Sequence, residues 1–228
     1  MQEKINTLNY FNNQIYLSYV CIKKKQDVVD QTNNIFSEIN SNETDLAIPI
    51  QKHTDNVVWT DKGGTYQACD GIASNLNYNV SLSLSVADCV PVCMYDPKTQ
   101  NFALIHSGWK GTYKKISNNG VALLVENKSK PEDIIVYCGV SISQKNYEVG
   151  GEVASLFSDN NLNQSGYKFL LDIKSQIKDD LIETGLKTKN IFISKDCTYD
   201  DNKFPSFRRD GSEAGRITFF MGKYIGRN

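Results

Sequence analysis

The chain has 228 residues, of which 40% are hydrophobic and 22% charged, with a formal net charge of −1. Such a length and composition suit one globular domain spanning residues 1–228 and exclude a disordered, collagen-like or disulfide-stapled chain. The near-neutral charge removes the basic footprint of a nucleic-acid binder, and no run approaches the roughly 20 apolar residues that cross a bilayer.

The first residues, MQEKINTLNYFNN, lack the basic segment and apolar stretch of a secretory signal, so a cytoplasmic location is expected. Residues 1–46 are rich in Asn, Gln and Lys and give weak patterns, and Lys23-Lys24-Lys25 reads as a solvated strand end. The six cysteines, at 21, 69, 89, 93, 138 and 197, are dispersed and read as thiols or ligands. With only two histidines, His53 and His106, any site needing many imidazoles is excluded.

From Val80 the pattern sharpens. Alternation through Leu82, Leu84 and Val86 predicts a strand with those side chains buried. Residues 87–95 continue extended, Asp96–Asn101 supplies a turn, and residues 102–108 return as a second strand, giving a hairpin. Thr112 is the expected cap of a helix carrying Ile116, Leu123 and Leu124. Further on, 134–138, 191–193 and 217–220 read as strands, 150–158 and 170–185 as helices, and Arg208-Arg209-Asp210-Gly211 as a loop. The mixture implies an α+β fold, a single domain with a central mixed or antiparallel sheet flanked by helices.

Within the hairpin, a turn centred between Lys98 and Thr99 pairs residues whose numbers sum to 197, and Cys89 and His106 sum to 195. They should therefore be near neighbours across the ladder, which suits either two ligands of one metal or a thiolate–imidazole pair. A buried cysteine beside a hydrogen-bonded strand histidine is the plain structural alternative. Cys93, four strand positions from Cys89, reads as core.

The strings DGIAS (70–74), VADCVPVCMYDP (86–97), ALIHSGWKGT (103–112), CGVSISQKNYEVG (138–150), DCTYDD (196–201) and FRRDGSEAGRITF (207–219) occur in the order of one family pattern. On these strings the chain resembles the laccase-domain family, formerly called multicopper polyphenol oxidases and now understood as purine nucleoside phosphorylases. The resemblance implies a zinc cofactor held by His53, Cys89 and His106, with Cys89, His106 and Asp88 at the catalytic centre. It also implies a purine nucleoside and phosphate as small-molecule partners. Asp88 is expected to orient rather than ligate, and Asp70 stands with it. Lys110, Ser141, Arg208 and Arg209, together with Arg216, are the expected substrate and phosphate contacts, and Tyr147 could stack on a base.

The chain also departs from the pattern. No Thr-Arg-Gly-Gly loop precedes His53, Lys110 stands where the family has arginine, Val140 replaces a proline, and Ile177 occupies an expected asparagine position. The metal ligands are thus intact while substrate contacts have changed. Multicopper oxidation is excluded by the two histidines, and the zinc-deaminase signature is absent, leaving adenosine deamination only as a side activity. Two rival functions remain: a metal-free Cys–His amidase or thiol hydrolase acting on cell-wall precursors, and a non-catalytic protein whose zinc merely staples His53 to the hairpin.

Overall fold

The computed structural model describes residues 6–7, 9–11, 14–22 and 45–223. Lys23-Lys24-Lys25 lies outside them. Alternation places Leu82, Leu84 and Val86 of strand Val80–Val86 in one core, as the sequence predicts. Their neighbours on strand Arg216–Lys223, Phe219 and Met221, point into the same layer.

The α+β class holds, but the single central sheet resolves into two six-stranded mixed sheets and a small three-stranded one. In the first sheet the hydrogen-bonded order is Asn6–Thr7, Ile15–Ile22, Arg216–Lys223, Val80–Val86, Asp45–Pro49 and Gly64–Tyr66. In the second it is Ile191–Ile193, Ile135–Cys138, Val90–Tyr95, Asn101–Ser107, Gly71–Asn75 and Val57–Trp59. The two sheets share a core in which Leu82, Leu84 and Phe219 of the first meet Cys93, Tyr95, Phe102 and Leu104 of the second. The second sheet turns its other face, with Val92, Met94 and Ile105, to the helices Ile116–Glu126 and Ile173–Glu183. Because strands of the second sheet are buried on both faces, they read as continuous apolar runs rather than as alternation.

The hairpin register matches the sequence arithmetic: Val90 pairs with Ser107 and Pro91 with His106. Helix Ile116–Glu126 packs so close to this hairpin that a Cβ on Gly120 would lie 2.2 Å from Ile105 Cδ1, so a larger residue there would displace the Ile105 side chain.

Four local expectations are corrected. Thr112 caps no helix; the chain enters a short helix Trp109–Tyr113 from Gly108, and the Thr112 hydroxyl instead pairs with that of Ser107 at 2.8 Å. Lys115, left-handed at φ 60°, then breaks the path before Ile116–Glu126. Of 150–158 only Gly151–Ala154 is helical. In 170–185 the helix is Ile173–Glu183, begun by the Asp172 side chain accepting from Ser175 N, while Lys168–Leu171 is a strand of the small sheet. Of Arg208-Arg209-Asp210-Gly211, expected as a loop, the first three belong to a helical turn Phe207–Asp210 capped by Ser206.

Among the described residues no helix is long and apolar enough to cross a membrane. The six cysteines form no disulfide.

Candidate metal centre and substrate cavity

Two chain segments cross from the first sheet to the second at one end of the sandwich. One runs from Asp45–Pro49 to Val57–Trp59 and carries His53; the other runs from Val80–Val86 to Val90–Tyr95 and carries Cys89. His106 lies near the end of strand Asn101–Ser107, on the face that points between the sheets. The hairpin ladder begins at Val90, so Cys89 falls just past it, diagonal to His106 rather than opposite.

The sandwich end thus gathers three donors from three segments. The ligand atoms of His53, Cys89 and His106 all lie within 4.8 Å of one another. Metal–ligand bonds of about 2.0–2.3 Å place two ligands of one zinc ion no more than roughly 4.6 Å apart, so this donor set fits a single ion with little adjustment. Two imidazoles and a thiolate also match the ligands zinc favours, and three protein ligands leave one position for a reactant.

The backbone is strained where it delivers these groups. His53 sits at φ 56° and Asp88, beside Cys89, at φ 80°. Non-glycine residues adopt this region only where their surroundings hold them there. Gly108 is the third local demand: a Cβ there would lie 2.9 Å from Cys89 Sγ and 3.1 Å from His53 Cδ2, so any other residue would push into the ligand cluster.

Asp70 supplies the restraint on His53. Its fully buried carboxylate accepts from the backbone amides of Lys52, His53 and Thr54 at 3.0, 3.0 and 2.7 Å and from the Thr54 hydroxyl at 2.8 Å. Burial by itself would raise the Asp70 pKa, but His106 and these donors outweigh it and hold the carboxyl well below the usual carboxylate range. Burial likewise pushes the Cys89 thiol up, yet hydrogen bonds and charge from His106 and His53 bring it down to about 6. His106 would be lowered by burial, but Asp70 and Cys89 raise it to about 9. Each group thus favours the charged form of the other, which pulls the thiol down and the imidazole up.

Asp88 has a different place from the three donors. Its carboxylate accepts from Thr198 Oγ1 and, at 2.6 Å, from Arg208 N, while its carbonyl accepts from Ile142 N at 3.0 Å. It ties the Cys89 segment to the segments that carry Ile142, Thr198 and Arg208.

Above the donors opens a cavity of about 490 Å³, lined by His53, Cys89, His106, Gln51, Phe207 and Arg216 among others. That volume lies within the roughly 300–1,000 Å³ typical of small-molecule sites. Gln51 closes one wall by pairing through both side-chain atoms with the Ser85 backbone, at 2.8 and 3.1 Å.

Of the expected anion contacts, Arg216 is the one that lines this cavity; its Nη1 holds the carbonyls of Ala214 and Gly215 at 2.9 and 2.8 Å. The other four are placed elsewhere. Lys110 is exposed, its ammonium 5.5 Å over the ring of Trp109. Ser141 is fully buried, bridged to Cys197, with its hydroxyl lacking a hydrogen-bond partner among the described residues. Arg208 donates to the Glu148 carbonyl at 2.8 Å and lies over Tyr147. Arg209 commits all five N–H donors: to the carbonyls of Thr198, Tyr199 and Phe204, and through two nitrogens to Asp210. A guanidinium so saturated has nothing left for phosphate. Tyr147 is similarly occupied, packed against the helical-side core beneath Arg208. No local pattern marks Gln51 or Phe207 as cavity-lining; Phe207 lies in the FRRDG block beside three charged residues.

The fold is a two-sheet sandwich carrying at one end, beside a cavity of small-molecule size, a His–Cys–His cluster that could hold a metal ion. The sequence profile described as multi-copper polyphenol oxidoreductase laccase matches residues 9–223, and the chain belongs to that family. It is 36% identical over 165 residues to a Bacillus subtilis protein named purine nucleoside phosphorylase YlmD, a match covering 68% of this chain and 59% of that protein. The chain thus spans under two thirds of that relative. An Aquifex aeolicus purine nucleoside phosphorylase is 31% identical over 174 residues, covering 76% of this chain and 81% of its own length. The fold is shared with the crystal structure of YlmD from Geobacillus stearothermophilus, at 20% identity and a TM-score of 0.84, covering 96% of this chain and 94% of that one.

Proposed function

We propose that this chain is a zinc-dependent purine nucleoside phosphorylase, cleaving nucleosides such as adenosine, inosine and guanosine with phosphate to give free base and ribose 1-phosphate. The observation that carries this reading is the cavity itself: three metal-ligating atoms within 4.8 Å of one another share it with the Arg216 guanidinium. The relatives named for this reaction support it.

His53, Cys89 and His106 would hold the ion. When bound, zinc supplies a Lewis-acidic centre able to polarise an oxygen of phosphate or sugar. Arg216 holds the phosphate anion by charge-assisted hydrogen bonds. Asp70 keeps the His53 loop and the His106 ring in place, and Asp88 fixes the segment bearing Cys89. Gln51 and Phe207 supply further wall to the cavity beside these groups.

The test is zinc content and phosphate dependence together. Protein purified in metal-replete, chelator-free buffer should carry one zinc per chain and release hypoxanthine from inosine only with phosphate present. Release at the same rate without phosphate would mark a hydrolase and end this reading. Ammonia release from adenosine measures the side activity of deamination. A second reading, a Cys–His thiol hydrolase, is favoured by the Cys89 thiol at about pH 6 beside His106; it requires a metal-free enzyme, since bound zinc blocks the thiolate as nucleophile.

A further inference from the structure

Phe207 is 56% exposed although it lines the same cavity as the metal-ligating cluster. An apolar ring left mostly in water contributes little to folding. Yet the turn that carries it is pinned on several sides. Arg208 N donates to Asp88 Oδ2 at 2.6 Å, Arg209 N to the Ser206 hydroxyl at 3.2 Å, and the Arg209 guanidinium grips the carbonyls of Thr198, Tyr199 and Phe204. Ser206 is itself fully buried. Since Asp88 adjoins Cys89, the position of the ring is referred through one residue to the ligating thiol.

Among the described residues lining the cavity, Phe207 is the one aromatic side chain besides the two imidazoles. It has no polar atom, so it recognises flat or apolar faces. Phosphate and ribose are covered in hydrogen-bonding groups and are served by Arg216 and the donor cluster. Of the reactants in a phosphorolysis, the base is the one with a broad π-face. We propose that Phe207 is the platform on which the nucleoside base stacks, and that the residues of the FRRDG block serve to hold that ring over the cavity. This rests on the phosphorylase reading and names how its nucleoside is recognised.

Stacking on an aromatic ring favours the larger two-ring purine face over a pyrimidine, and removing such a platform typically weakens binding by about an order of magnitude. The experiment is calorimetric titration of zinc-loaded protein with inosine and, separately, with inorganic phosphate, neither mixture allowing turnover. Phe207→Ala should bind inosine roughly tenfold more weakly, bind phosphate as the parent does, and keep its Tm. Phe207→Tyr should restore inosine affinity. If Phe207→Ala binds inosine as tightly as the parent, or loses phosphate affinity equally, the stacking role is overturned while the phosphorylase reading stands. A parent protein that binds no nucleoside would overturn both.

Discussion

Asp70 holds His106 at two points: its carbonyl accepts from the His106 amide at 2.7 Å, and its Oδ1 meets His106 Nδ1 at 2.8 Å. A carboxylate only accepts, so the proton sits on Nδ1 and leaves Nε2 for the metal. The same oxygen takes the His53 amide at 3.0 Å, so one buried group sets two of the three ligands.

Asp70→Asn should therefore lower zinc affinity by about 10–100-fold, read by competition with a chromophoric chelator. The parent also has an acid slope to lose. Because the folded pKa of Asp70 is depressed, its stabilisation is full above the unfolded carboxyl pKa of about 4 and fades as pH falls toward the folded value. Urea midpoints at pH 3 and pH 6 should differ less in the variant than in the parent; equal differences would remove Asp70 from this role.

The metal-free protein should react with iodoacetamide at Cys89 with a midpoint near pH 6, well below an ordinary thiol. The rate is high above that pH, where the thiolate forms, and drops below it. Zinc should suppress the reaction. Peptide mapping that finds Cys89 inert in the metal-free protein at pH 7.5 would contradict the thiolate–imidazolium pair.

Arg209 and Arg216 should separate cleanly. Losing the five contacts of Arg209 should cost roughly 2–4 kcal/mol, a fall in Tm on the order of 5–15 °C in a chain this size, with phosphate affinity retained in the folded fraction. Arg216→Ala should do the reverse, keeping Tm within a few degrees and weakening phosphate binding. Identical behaviour of the two variants would refute the assignment of the anion to Arg216.

Gly108→Ala probes the close approach over the donors. With a Cβ 2.9 Å from Cys89 Sγ, either the thiol or the backbone must shift, and the zinc site should loosen while the rest of the fold persists. Near-normal Tm in the metal-free form with a clear loss of zinc affinity is the expected pair of results; unchanged zinc affinity would show that the site absorbs the extra carbon.

The strand at Val80–Val86, the hairpin register that pairs Pro91 with His106, and the histidine scarcity that restricts the metal chemistry were all legible in the amino-acid order. Each follows from local rules: side-chain period, turn position and counting. The family strings named His53, Cys89 and His106 as one centre. What surrounds them depends on long-range packing. Strand Ile15–Ile22, hidden in a polar stretch, proves to lie beside Arg216–Lys223 because burial there comes from distant partners. The second sheet is not separable from the first by pattern, because strands buried on both faces carry no alternation to reveal which layer each face meets. The arginines expected as anion contacts part for a related reason: a guanidinium has the same formula whether it faces a cavity or a ring of carbonyls. Arg209 meets carbonyls at residues 198, 199 and 204, brought to it by a loop whose path no local pattern specifies, while Arg216 opens the strand at the cavity wall.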